Sequence, residues 1–454
     1  MHRNIIRRIG IALLALCLLA ACTEQSNLSL PGEQPTAETV PVEDVIAEVQ
    51  TAAPVPVSDT PQPTDTPQPT DVPEPTETPT PEPTETPVPE PARVTIGAIG
   101  DIMVTSQIVE DVKVSADEYD FMTLFAPFAE LFQSVDLMCG NLETPLAGRE
   151  AGYSVKTSDG ALVFNAPDSI LDALKAYGMD VLTTANNHCL DKDAAGLYRT
   201  IETIRNAGFY QTGTYLDAAD REKPLIIEIN GIRIGIVAGT RKPNVSKTKR
   251  HITDEESRKV ISYLINGEKI TDSAAKDIAR AKEAGAEFVI YFAHWDYEND
   301  KPAADVTKSL ARQLFQAGAD CIIGSHPHRV KAAEYVTVNR ADGPYTGLVL
   351  YSLGNFSANN AFEKMVGLFV KITLEKDFET GKVTLVDAGA LPTFAIRRGG
   401  KGQRFTVVPA YADASKITGL NSALTASEIQ SIAKARAHAF KRLGAPAGLK
   451  AIDE

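Results

Sequence analysis

The chain has 454 residues and a formal charge of −14, from 59 acidic and 45 basic side chains. The excess is local: residues 9–92 hold 14 carboxylates and no Lys or Arg, which leaves 42 basic and 45 acidic residues from Arg93 onward. That balance excludes the basic footprint of a nucleic-acid-binding protein.

Arg3, Arg7 and Arg8 precede an apolar run from Ile9 to Ala21 that closes in Leu19-Ala20-Ala21-Cys22. A basic start, an apolar stretch shorter than the ~20 residues of a membrane span and small residues before one Cys are the features of a signal peptide with a lipobox. Residues 1–21 are expected to be removed and Cys22 to be lipidated. The rest of the chain is then extracytoplasmic, lipid-anchored on the outer face of the cell membrane. A short retained transmembrane anchor is the alternative and gives the same location.

Seventeen of the 28 prolines fall between Pro31 and Pro91. Repeats such as Thr60-Pro61-Gln62-Pro63-Thr64-Asp65 have no apolar side chains to bury, and their prolines favour extended polyproline II. Residues 22–92 therefore read as a disordered Pro/Thr/Glu-rich stalk. Fully extended, such a stalk reaches on the order of 190 Å at ~3.1 Å per residue.

From Arg93 the pattern changes to short β-rich runs alternating with helical stretches. The runs are Val94–Gly100, Val135–Gly140, Met179–Thr184, Ile232–Gly239, Phe288–Ala293 and Cys321–Gly324. Apolar on both faces and followed by helices, they predict a buried central sheet. Helices are expected over Asp168–Tyr177, Ala195–Ala207, Ala274–Ala284 and Ala304–Ala317, closed by Gly178, Gly208, Gly285 and Gly318. The later runs Gly347–Ser352, Val366–Leu374 and Lys382–Leu391 have no helices between them and predict an antiparallel second sheet packed on the first. Residues 93–410 form one domain by length, and 411–454 a helical extension, with Thr425 and Glu428 as a capping box and Gly444 as the stop.

Cys139, Cys189 and Cys321 are an odd number without framework spacing. They read as buried thiols, with a Cys139–Cys189 bridge as the alternative.

The polar residues gather where strands end, the usual place of ligands in open α/β sheets. Five clusters stand out: Gly100-Asp101-Ile102-Met103; Gly140-Asn141-Leu142-Glu143; Asn186-Asn187-His188 with Asp191; His294-Trp295-Asp296-Tyr297-Glu298; and Gly324-Ser325-His326-Pro327-His328. Four of the seven histidines lie in them, whereas His2, His251 and His438 have no role. Imidazole, carboxylate and amide oxygen together are ligands for a divalent metal, Mn, Fe, Zn or Mg. His326 and His328 both point inward only if the backbone turns between them, which Gly324 and Pro327 favour. Any one cluster alone is equally well a set of satisfied core or loop residues.

In this order the motifs resemble the CapA family, the poly-γ-glutamate capsule biosynthesis (PGA_cap) proteins of the metallophosphatase, or calcineurin-like, superfamily. The resemblance runs from about Thr95 to Phe356 and includes Ser352-Leu353-Gly354-Asn355-Phe356 and Glu334. It implies a metallophosphatase-like α/β fold, a four-layer α/β/β/α sandwich with two packed sheets. It also implies that Asp101 and His328 hold a first metal ion and Asn187, His294 and His326 a second. Glu143 then bridges, because the phosphoesterase Asp of that cluster is replaced by Asn141. His188 serves as the acid at the leaving group, and Asp191 orients it or begins the following helix. Met103 stands where phosphoesterases have a His, which weakens the first position and makes one ion as reasonable as two. Asp296 replaces a usual Gly.

The loop Arg241–Arg250 carries five bases, which fits either steering of a polyanion or a solvated surface loop. Two functions account for the clusters: a metal-dependent, phosphoesterase-like hydrolase, or a non-catalytic assembly or export component of a capsule complex; a third, a sugar- or peptide-binding lipoprotein, leaves the five clusters unexplained. The expected partners are the membrane and either an anionic envelope polymer or capsule-synthesis membrane proteins.

Overall fold

The computed structural model describes residues 90–156, 160, 162–244, 252–398, 405–444 and 448–453. The leader, Cys22, nearly all of the stalk and the loop residues 245–251 lie outside the described residues. No described helix is long and apolar enough to cross a membrane.

Two mixed sheets face each other. The larger runs in the order Phe405–Pro409, Val383–Arg397, Val366–Lys376, Ala92–Ile102, Leu137–Leu142, Val181–Thr183, Tyr210–Thr212. Asn355–Ser357 lies parallel to the end of Ala92–Ile102, and Leu449–Ala451 parallel to Val383–Arg397. The smaller runs Ala333–Arg340, Gly343–Leu350, Cys321–Ser325, Phe288–His294, Ile232–Thr240, Leu225–Ile229.

Alternation along the strands decides what each face meets. Phe288, Ile290 and Phe292 join Ile232, Ile234 and Ile236 in one core with Val94, Ile96 and Ala98 of the larger sheet. Val289, Tyr291 and Ala293 point the other way, into a second core with Ala274, Ile278, Leu310 and Leu314. Those last four are the apolar stripes of helices Asp272–Glu283 and Asp305–Gln316. A strand buried on both faces must be apolar at every position, which is why period-2 patterning is missing from these runs.

The fold class is therefore α/β with two packed sheets, but the division of strands differs from the expected one. The six early runs split three and three between the sheets, and the later strands do not form a sheet of their own. Val366–Lys376 pairs antiparallel with Ala92–Ile102, whereas Gly343–Leu350 runs parallel to Cys321–Ser325. Hydrophobic patterning shows that a strand is buried, not which neighbour completes its hydrogen bonds.

The carboxy-terminal segment is also more than a helical extension. Helix Ala426–Leu443 has the expected Thr425/Glu428 capping box, and it packs on strands Val366–Lys376 and Val383–Arg397. After it Leu449–Ala451 adds a strand opposite Ala388–Ala390. Gly208 and Gly318 end their helices at φ of 79° and 113°, as the sequence requires. Cys139 and Cys321 are fully buried free thiols, and burial pushes the Cys321 thiol up to about 12.

Candidate metal centre

The carboxyl ends of five parallel strands converge on one point. In the larger sheet Asp101 lies opposite Asn141, and Asn141 opposite Thr183, just before Asn186-Asn187-His188. In the smaller sheet His294 lies opposite Thr240 on one side and Ser325 on the other. Because Phe288, Ile290 and Phe292 face the larger sheet, His294 faces it too. The Ser352–Phe356 motif closes the ring. The Asp101 amide donates to Gly354 O at 3.0 Å, and a Cβ on Gly100 would lie 1.9 Å from that oxygen, so only glycine fits before Asp101.

Glu143 sits at the centre. It is fully buried, and neither carboxylate oxygen has a hydrogen-bond partner. Three imidazoles face its Oε1 instead: the Nε2 atoms of His294, His328 and His188 at 3.5, 3.9 and 4.0 Å. Each of those rings is fixed through Nδ1. His294 Nδ1 lies 2.8 Å from Ser325 Oγ, His328 Nδ1 donates to Asn355 Oδ1 at 2.9 Å, and His188 Nδ1 donates to Asp191 Oδ2 at 2.6 Å. Holding Nδ1 this way turns Nε2 towards Glu143, the arrangement usual behind metal-bound histidines.

The donors fall into two groups that share Glu143: Asp101, Glu143 and His294; and Glu143, His326 and His328. Asn187 Oδ1 lies 2.8 Å from His294 Nε2. Donors ~2.1 Å from a common ion stand about 3–4 Å apart, depending on the angle, so these spacings fit a bound ion. The expected allocation pairs Asp101 with His328 and His294 with His326. The donor atoms group the other way, although His328 Nδ1 also lies 3.4 Å from Asp101 Oδ2.

Electrostatics prepare the same groups for a cation. Burial opposes ionisation of Asp101, but the hydrogen bond with His328 and the nearby His294 outweigh it and hold the carboxyl at about 2. Burial, with His326 beside it, pushes His294 well below its ordinary range. His326 is lowered to about 4 by burial and by His328. Burial and the Asp101 charge raise Glu143 well above the carboxylate range. An anionic Asp101 and neutral imidazoles are the ligand-competent forms, and the orphaned Glu143 is what a cation would satisfy.

The backbone is strained here. Among the described residues five non-glycines have positive φ, and three of them are Asp296, His326 and His328, at 66°, 92° and 55°. The turn that aims both His326 and His328 inward is thus made by the histidines themselves, on either side of Pro327. Such strain concentrates at functional sites.

Several residues take places the sequence left open. Asp296 is in neither donor group: its Oδ2 accepts from the buried Lys331 Nζ at 2.9 Å, and its φ of 66° is one that glycine adopts without strain. Met103 packs against Phe164 and Ala358. Glu334 accepts from Tyr351 Oη at 3.2 Å and lies 3.7 Å from Lys308, on the helix-covered side of the smaller sheet. Asp191 both orients His188 and accepts from the Phe164 amide at 2.8 Å. Ser325 and Asn355 stand inside the motifs, yet the motifs do not state that they hold imidazole rings. Nothing in the sequence marks Lys331.

A cavity of about 300 Å³ opens onto the site, lined by Asn187, His294, His326, Thr240 and Arg241–Asn244. A larger one of about 650 Å³ shares Arg241, Lys242 and Pro243 but touches none of the candidate ligands.

The family described as bacterial capsule synthesis protein PGA_cap matches residues 95–360, a span that contains every candidate ligand. The capsule biosynthesis protein CapA of Bacillus anthracis is 27% identical over 267 residues, 58% of this chain and 59% of that protein. The PGA biosynthesis protein CapA of Bacillus subtilis (strain 168) is 26% identical over 264 residues, 57% and 61% of the two chains. The chain thus spans about three fifths of the length of these relatives. Among solved structures, a hypothetical protein from Thermus thermophilus aligns at a TM-score of 0.36 and 14% identity, over 65% of this chain and 98% of that one. A novel phosphatase from Mycoplasma pneumoniae aligns at 0.36 and 11%, over 66% and 93%.

Proposed function

This chain belongs to the bacterial capsule synthesis protein PGA_cap family, and on that premise we propose that it is a lipid-anchored surface protein that uses a divalent ion to cleave or transfer a phosphoester, ester or amide bond in an anionic envelope polymer of the poly-γ-glutamate kind. The observation that carries this reading is the buried Glu143 carboxylate, without a hydrogen bond and faced by three Nε2 atoms. A buried charge of that kind is costly unless a cation satisfies it.

Asp101, Glu143, His294, His326 and His328, with Asn187, would hold one or two ions. A bound divalent ion supplies Lewis acidity, which lowers the pKa of water and offsets negative charge on the electrophile's oxygen. His188 supplies the proton. Its Nδ1–H donates to Asp191, so Nε2 faces the site and would take the proton that the attacking water loses and pass it to the leaving oxygen. Phe164, 4.4 Å from the His188 ring centroid, limits water on that side.

The test is direct. The purified full-length chain should retain Mn²⁺ on elemental analysis and turn over bis-p-nitrophenyl phosphate or p-nitrophenyl phosphate in a chelator-sensitive manner. No retained metal together with no chelator-sensitive turnover would defeat the proposal. The anchor is tested separately, by labelled palmitate incorporation that is lost in Cys22→Ala.

Met103 favours a second reading, a non-catalytic assembly or export component, because a thioether is a poor donor for a hard ion. A deletion strain carrying His188→Ala separates the two. Full restoration of the polymer means that the chemistry is dispensable.

A further inference from the structure

The cavity lined by Asn187, His294 and His326 of the candidate donors carries two bases, Arg241 and Lys242, at its rim. The rim segment Arg241–Asn244 is pinned at both ends to candidate ligands: the Arg241 amide donates to His294 O at 2.9 Å, and the Asn244 amide to Asn187 O at 2.7 Å. Its position is therefore set by the same residues that shape the floor.

Arg241 is held in a particular way. Its guanidinium lies over the Tyr297 ring, 4.4 Å from the centroid. Nη1 donates to Asp296 O and Nη2 to Tyr297 Oη, both at a long 3.4 Å. Among the described residues no carboxylate pairs with Arg241 or Lys242. Asp296, whose backbone oxygen meets Arg241, has its carboxylate committed to Lys331 at 2.9 Å. A guanidinium stacked on an aromatic ring, weakly hydrogen-bonded and without a counter-ion, is a preorganised fork for a planar or tetrahedral oxyanion. Other arginines of this domain do have an acid, as Arg199 has Asp168 and Arg205 has Asp220.

We propose that Arg241 binds an anionic group of the substrate, a carboxylate or a phosphate, adjacent to the group that reacts over Glu143, and so determines specificity for substrates that carry a second negative charge. The proposal rests on the reading above for what lies at the cavity floor, but not on turnover. Lys242, on the same rim, adds a diffuse positive field, whereas Arg241 supplies the directional contact. Tyr297 acts as a positioning residue for Arg241.

The experiment uses the full-length chain and two probes, inorganic phosphate and succinate. Binding of each is measured by calorimetry for the wild type, Arg241→Ala, Arg241→Lys and Lys242→Ala, with and without Mn²⁺. Arg241→Ala should weaken binding of at least one probe by about 10-fold or more, the scale of a lost hydrogen-bonded charge contact. Arg241→Lys should restore only part of it, because an ammonium lacks the fork. Mn²⁺ affinity should be unchanged in all three variants. The stronger probe identifies the anion. Equal binding by wild type and Arg241→Ala, or no binding of either probe by the wild type, overturns the proposal. Failure of the metal reading shows separately, as absence of Mn²⁺ binding by the wild type, and leaves the comparison of anion binding intact.

Discussion

Lys331 Nζ lies 2.9 Å from Asp296 Oδ2, and both side chains are buried, at 0% and 1% exposure. The pair ties the turn after His294 to the segment after His328, so it fixes the separation of two loops that carry candidate ligands. Lys331→Met removes one partner and strands a buried carboxylate, which should cost about 3–5 kcal/mol in chemical denaturation. The double variant Lys331→Met/Asp296→Asn should lose clearly less than the sum of the singles, because the two residues act as one unit. Additive losses would mean that the ion pair does not couple the loops.

Glu143 makes an opposite prediction for stability and for binding. Glu143→Gln replaces an unpartnered buried acid with a neutral group of the same shape. The metal-free variant should be at least as stable as the wild type. Mn²⁺ at 100 times its dissociation constant should stabilise the wild type by about 2.7 kcal/mol and the variant hardly at all. Thermal unfolding with and without Mn²⁺ reads both effects. A destabilised apoprotein with normal metal response would show that Glu143 is a structural acid.

The Asn355 side chain meets the site through His328 Nδ1, while its backbone lies opposite Asp101. Asn355→Ala should lower metal affinity by about 10–100-fold, the usual consequence of losing a partner behind a ligand. The substitution also removes the donor to Lys364 O at 2.7 Å, so circular dichroism should accompany the titration. Unchanged Mn²⁺ affinity in a folded variant would place His328 outside the coordination sphere.

His188 and Asp191 should separate proton transfer from metal binding. His188→Ala should reduce kcat by about 10²–10⁴-fold while retaining Mn²⁺. Asp191→Asn should move kcat more than KM and displace the limb of the pH–rate profile that reports the acid. Loss of metal in either variant would assign His188 to the ligand set instead.

Much of the site was legible from motif order. Asp101, Glu143, Asn187, His188, His294, His326 and His328 all stand immediately after apolar runs, and strand ends in such sheets must come together. Other features had no local signature. Lys331 looks like any surface lysine until the fold buries it against Asp296. Ser325 and Asn355 were visible as motif members, but what they do is hold imidazole rings whose positions only the fold defines. Of the basic loop, Arg241–Asn244 lines the cavity, and residues 245–251 lie outside the described residues.

The sequence alone determined the buried strands, the helix ends at glycine, the capping box at Thr425 and the candidate donors, because each depends on residues close along the chain. The three-dimensional structure decided which strands are neighbours, that the donors share Glu143, and that Asp296 pairs with Lys331. Those outcomes depend on hydrogen-bond partners and charges brought together from residues as far apart as Asp101 and His326, a separation that no local pattern encodes.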